Sequence, residues 1–81
     1  MDDQQILAQI RKLIDAEHEL RAKVADGELS SSEERSRLRS TEEALDQCWD
    51  LLRQRRALRE FGGDPDAAQV RPASEVEGYL E

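Results

Sequence analysis

Residues 20–38 read Leu20-Arg21-Ala22-Lys23-Val24-Ala25-Asp26-Gly27-Glu28-Leu29-Ser30-Ser31-Ser32-Glu33-Glu34-Arg35-Ser36-Arg37-Leu38. A helical pattern stops at Gly27, a triple serine followed by two glutamates starts another, and an apolar residue closes each side. Glycine takes the left-handed conformation that ends helices, and Ser30 with Glu33 or Ser31 with Glu34 is the pattern of a capping box. Working outward, Val24, Leu20, Leu13, Ile10 and Ile6 recur at spacings of three and four, interrupted only by Glu17. Leu38, Leu45, Cys48 and Leu52 do the same on the other side. Such spacing places each set on one face of an α-helix. Folded at Gly27, residues whose numbers sum to about 58 face each other. Leu20 then meets Leu38, Leu13 meets Leu45, Ile10 meets Cys48, and Ile6 meets Leu52. The expected fold is all-α, an antiparallel two-helix hairpin of coiled-coil type with helices near residues 3–25 and 32–61.

Asp2 or Asp3 can cap the first helix, with Gln5 as the return partner of Asp2. Leu7 and Ile14 widen the buried stripe on one flank. Asp15, Arg11, Glu19 and Lys23 form an ordinary charged outer face with i,i+4 pairs. The second helix meets no glycine or proline until Phe61-Gly62-Gly63. At 1.5 Å per residue it is about 45 Å long against about 35 Å for the first, so its last turns overhang. Its apolar face is also too wide for one partner, with Ala44, Leu51 and Leu58 on one flank and Trp49 on the other. That excess calls for a second surface, either the tail or another copy of the hairpin, and predicts a homodimer forming a four-helix bundle.

Residues 62–81 form a Gly- and Pro-containing acidic tail. Asp64-Pro65 reads as an N-cap followed by proline at the first helical position, giving one short turn through Gln69. Pro72 stops it, and Ser74 with Glu77 caps a final short turn that Gly78 weakens. Val70, Val76, Tyr79 and Leu80 supply apolar anchors. The tail is either a disordered terminus or a docking strip that covers Trp49 or Leu51, in cis or in trans.

Eighty-one residues allow one domain with a small core. One cysteine and one histidine exclude an intrachain disulfide and disfavour a structural zinc site. The N-terminus carries no signal-peptide pattern and no apolar run reaches the length of a span, which points to a cytoplasmic protein without membrane attachment. Net charge is −7, distributed as −5 over residues 1–34, +2 over 35–61 and −4 over 62–81. An acidic total disfavours phosphate neutralisation, so non-specific nucleic-acid binding is not expected. The local exception is Arg53, Arg55, Arg56 and Arg59.

The segments Glu17-His18-Glu19-Leu20-Arg21, Leu45-Asp46-Gln47-Cys48-Trp49-Asp50-Leu51-Leu52-Arg53-Gln54-Arg55-Arg56, Asp64-Pro65, and Val70-Arg71-Pro72 with Glu77-Gly78-Tyr79 resemble a family of short actinobacterial proteins classed as a domain of unknown function. The resemblance spans nearly the whole chain and is most specific from Leu45 to Arg56. It implies an actinobacterial cytoplasmic source and carries no activity.

Asp15 and His18 have the i,i+3 carboxylate–histidine spacing of di-iron bundles, with Glu42 or Asp46 across the hairpin, but Asp15 points away from the seam. A solvated or interfacial His18 is therefore the expectation, without a metal. Glu17 sits in the seam near Thr41, where a polar residue can fix register and partner number. Cys48 reads as a small buried hydrophobe. No nucleophilic triad and no phosphate-cradling glycine loop is present, so neither catalysis, a cofactor nor a small-molecule substrate is expected. The function expected is a protein–protein interaction or scaffold module in which Arg53, Arg55, Arg56 and Arg59, with Val76, Tyr79 and Leu80 of the tail, engage a protein partner. Two alternatives are an accessory factor that binds nucleic acid or a ribonucleoprotein through Arg53–Arg59, and a hairpin whose acidic tip enters a channel of a large machine. The last rests on shape analogy.

Overall fold

The computed structural model describes residues 1–80, with Tyr79 and Leu80 described by their backbone alone. Helix α1 spans Asp3–Ala25 and helix α2 spans Ser31–Glu60. Both start where the caps predict. Gln5 donates its backbone N–H to Asp2 Oδ1 at 2.8 Å and returns Oε1 to the Asp2 N–H at 2.9 Å, a complete capping box. Ser30 Oγ accepts the Glu33 N–H at 3.1 Å, which selects Ser30 over Ser31 as the cap. Gly27, at φ +76°, turns the chain, and the Glu28 N–H reaches back to the Lys23 carbonyl at 2.8 Å.

The helices pack antiparallel in the expected register, since Asp3 lies against Arg55, a pair whose numbers sum to 58. Ile6, Ile10 and Leu51 form the buried cluster, with Leu45, Cys48, Leu52 and Ala68 half-buried around it. Leu20 is buried further along, while Leu13, Leu38 and Glu17 are half-buried. Leu51, on the flank that called for a second cover, is 5 % exposed and the most buried apolar side chain of α2, with Ala68 of the tail packed on the same cluster. One expectation is corrected here: Leu7 and Ile14 do not widen the core, being 37 % and 40 % exposed. The second layer on α2 arrives from the tail side, so the chain buries the Leu51 flank, while Trp49 on the opposite flank stays 44 % exposed.

After Gly62, at φ +77°, the tail folds back along its own helix. Asp64 Oδ1 accepts the Asp66 N–H and starts a single 3₁₀ turn at Pro65–Ala67, which ends before Gln69. Helix α3 spans Ala73–Leu80, eight residues rather than a single turn. Ser74 is inside it and does not cap it: the Pro72 carbonyl accepts the N–H groups of Glu75 and Val76 at 3.0 and 3.1 Å. Proline fixes the backbone just outside the helix and lacks the N–H that would go unsatisfied there, so the start falls earlier than Ser74. The turn and α3 both pack on α2 and not on α1 among the described residues. Three strips therefore lie side by side, and the Cα trace measures 51 × 25 × 13 Å. The molecule is a flattened slab with two broad faces.

Candidate functional site

Two polar knots hold the tail to α2, and they decide which charges remain at the surface. The first is centred on Asp50, 2 % exposed. Arg71 grips it with both arms, Nη2 to Oδ1 at 2.6 Å and Nε to Oδ2 at 2.9 Å. A planar guanidinium matched to both carboxylate oxygens is the strongest geometry available to such a pair. Gln54 donates to Asp50 Oδ2 at 3.0 Å and to the Gln69 carbonyl at 2.8 Å, and Gln47 donates to the Arg71 carbonyl at 3.1 Å. Gln47, Asp50 and Gln54 lie three and four residues apart, so one stripe of α2 receives the whole segment 69–71. Val76, 1 % exposed, is buried where α3 packs on α2.

The second knot is centred on Arg55, 6 % exposed. Its Nε donates to Asp3 Oδ1 at 2.6 Å, and its Nη1 donates to Asp66 Oδ1 at 2.9 Å and to the Pro65 carbonyl at 3.1 Å. One side chain thus joins the start of α1, the end of α2 and the 3₁₀ turn. Arg59 completes it, reaching Asp3 Oδ2 at 2.8 Å. The Arg59 and Arg55 guanidiniums, in that order, hold the Asp3 carboxyl below its ordinary value of 3.8, while Asp3 and Asp66 raise the pKa of Arg55. A carboxylate with a lowered folded-state pKa contributes stability above its ordinary pKa and loses it as pH falls through the lowered value. The stability that this pairing supplies should therefore fade as pH falls below about 3.8, and Asp3→Asn should remove that part of the acid limb of a pH titration followed by helical circular dichroism. An unchanged acid limb would show that the pairing is not made.

The four arginines expected to act together are consequently divided. Arg55 is enclosed in the fold and Arg59 is shared with Asp3. Arg56 pairs with Glu60 one turn on, at 3.0 Å, with both side chains exposed. Arg53 is exposed. Arg55→Ala should lower the urea midpoint clearly, because it removes the donor shared by Asp3, Asp66 and the Pro65 carbonyl. Arg53→Ala should stay within about 0.5 kcal/mol of the parent in the same urea titration. Equal effects would return Arg55 to the surface set. Of the tail anchors, Val76 is buried and Val70 is 57 % exposed, and the side chains of Tyr79 and Leu80 lie outside the described residues.

One broad face carries exposed apolar side chains from both long helices: Trp49 of α2 is 44 % exposed, and Leu7 and Ile14 of α1 are 37 % and 40 % exposed. Leu7 follows the buried Ile6 by roughly 100°, as Trp49 follows Cys48, and in an antiparallel pair the same sense of rotation leads to the same face. Counting 100° per residue, Trp49 lies roughly 140° around α2 from Gln54, so it faces away from the docked tail. Asp50 and the stripe that binds the tail are the functional residues the sequence reading missed. Asp50 entered it only as one residue of the segment from Leu45 to Arg56, yet it is buried and its partner is Arg71, 21 residues away.

The remaining candidates stand apart. Glu17 pairs with Arg21 on its own helix at 3.5 Å, and Thr41 donates to the Arg37 carbonyl. Asp15 and His18 are exposed, and among the described residues no group of His, Cys, Asp and Glu is placed to hold a metal. Cys48 is half-buried, and burial raises its thiol pKa, which disfavours the reactive thiolate. Among the described residues no helix is long and apolar enough to cross a membrane.

Comparison with known proteins places these features in a family. The chain is 60 % identical over 77 residues to uncharacterized proteins of Mycobacterium tuberculosis (strains H37Rv and CDC 1551) and Mycobacterium bovis, an alignment covering 95 % of this chain and 88 % of each relative. No solved structure matches it. The family of proteins of unknown function DUF2630 matches residues 2–81, nearly the full length, and the chain belongs to that family.

Proposed function

We propose that the protein is a non-catalytic interaction module of the cytoplasm that binds a protein partner through the face carrying Leu7, Ile14 and Trp49. The observation that carries this reading is the asymmetry of the slab. One side of α2 is covered by the chain's own tail, while the other keeps a tryptophan and two aliphatic side chains at 37–44 % exposure. In a chain with 38 % charged residues, a tryptophan and two aliphatic side chains on one face of the helical hairpin support a role in binding; the other large exposed apolar groups, Met1, Phe61 and Val70, lie at the chain start, at the end of α2 and in the tail. A tryptophan at the centre of such a face is the residue type that most often anchors an interface. The Arg53–Arg59 segment has a smaller part than its composition suggests, because Arg55 and Arg59 serve the fold. Arg53 and Arg56 remain as charges at the rim of the face.

The reading is tested by placing a photo-crosslinking benzophenone amino acid at position 49 of the full chain in a Mycobacterium host, with position 28 at the hairpin tip as control. Adducts to protein at position 49 and not at position 28 support it. Absence of any adduct at 49, or adducts equally frequent at the tip, overturns it. Crosslinking to nucleic acid instead would favour an accessory factor that reads phosphate.

A further inference from the structure

We infer that the partner of this face is a second copy of the chain, docked antiparallel along α2 about a two-fold axis beside Trp49, so that Glu42 of each copy meets Arg56 of the other. The inference rests on the reading of that face as an interaction surface and identifies its occupant.

The argument begins with a stripe of α2 that the hairpin does not use up. Leu38, Glu42, Leu45, Trp49, Leu52 and Arg56 recur at alternating spacings of four and three, the seam pattern of a coiled coil. Its three leucines are half-buried against α1, and Glu42, Trp49 and Arg56 lie on the outer edge, exposed. Glu42 and Arg56 are each seven residues from Trp49, two turns to either side and nearly in line with it. An isologous interface pairs residue i with j and j with i. With the axis at Trp49, residues of the two copies whose numbers sum to about 98 face each other. Trp49 meets Trp49, Leu45 falls opposite Leu52, and Glu42 falls opposite Arg56 twice. A parallel arrangement would set Glu42 on Glu42 and Arg56 on Arg56, which the like charges oppose.

The first helix agrees with this axis. Leu7 and Ile14 are exposed on the same side, and their midpoint in the hairpin register lies level with residues 47–48 of α2. The same rotation therefore exchanges Leu7 with Ile14 of the other copy, and the apolar patch is centred on its own axis. Among the described residues Arg56 is tied by the exposed pair with Glu60, one turn along. Exposed pairs of this kind contribute little and exchange readily. The tail is tied to α2 through Asp50 and Arg55, and where α3 reaches the Glu42 end of the face its Glu77 lines one groove with Glu42, Glu43 and Asp46, an acidic end that suits Arg56 of the other copy.

The test is a charge exchange in the full chain followed by sedimentation equilibrium at tens of micromolar. The wild type should sediment as a dimer. Glu42→Arg alone and Arg56→Glu alone should each weaken association by about tenfold or more, since each sets like charges together at both ends. The double variant Glu42→Arg with Arg56→Glu should recover the dimer. Trp49→Lys should give a monomer whose helical circular dichroism matches the wild type. A wild type that is monomeric throughout this range, or a double variant no tighter than the single ones, overturns the inference. The crosslinking at position 49 separates this failure from that of the broader reading: adducts at twice the chain mass belong to the dimer, whereas adducts of another mass with a monomeric wild type keep the interaction module and remove the second copy.

Discussion

Leu51→Ala should lower the stability of the chain by about 2–4 kcal/mol, the loss expected when a leucine is truncated in a core that cannot collapse around the gap. Leu51 is 5 % exposed, packed with Ile6 and Ile10 on one side and approached by Ala68 of the tail on the other. A domain of this size commands only about 3–5 kcal/mol in total, so the variant should be largely unfolded at ambient temperature. Leu45→Ala should do less, because Leu45 is half-buried. The urea midpoints of both, followed by circular dichroism, check the order. A Leu51→Ala midpoint close to that of the parent would remove the tail as its cover.

Removing either partner of the Asp50–Arg71 pair should cost about 3 kcal/mol, even though the arginine side chain is 41 % exposed. Arg71→Ala leaves a carboxylate at 2 % exposure without its cation, and Asp50→Ala removes the two-pronged acceptor of the guanidinium and one of the two acceptors of Gln54. The double variant Asp50→Leu with Arg71→Met should cost clearly less than the sum of the two, because no stranded charge remains. The readouts are the thermal midpoint and protease cleavage within residues 64–75. Strictly additive losses would mean that the two groups do not act as a pair. Cleavage unchanged in either single variant would mean that the pair does not hold the tail.

The sequence carried the two long helices plainly, for reasons visible in particular residues. Asp2 with Gln5, Ser30 with Glu33 and the left-handed Gly27 mark the ends, and the seam from Ile6 to Val24 has a single polar member. Caps and periodicity are local, and they agree. What escaped was the second stripe of α2. Gln47, Asp50 and Gln54 are spaced as regularly as the leucines, but polar side chains at helical spacing read as a solvated face. Their partners are the carbonyls of Gln69 and Arg71 and the Arg71 guanidinium. Pairings across an irregular tail have no period. Leu51 lies between the two stripes and belongs to both, so its need for a second cover was legible, but periodicity alone did not choose between the tail and a second copy to supply it. Arg55 shows the same limit: the register set it opposite Asp3, but nothing in the order of residues placed Asp66 on its other side.

The knot at Arg55 also fixes an order of events along the chain. Near Gly27 the helices meet across a few residues, whereas Asp3 and Arg55 are 52 positions apart and Asp66 lies 11 further on. Closing a loop becomes more costly as it lengthens, so contacts form soonest beside the turn and the hairpin zips towards its open end. On the ribosome the start of α1 emerges first and has to wait for nearly the whole chain before its acid finds a guanidinium. Until then Ile6 and Ile10 stand in water. The end of the molecule that carries the densest ion pairing is thus the last to close during synthesis, and the Asp3–Arg55–Asp66 junction serves as the fastening made after everything else is in place.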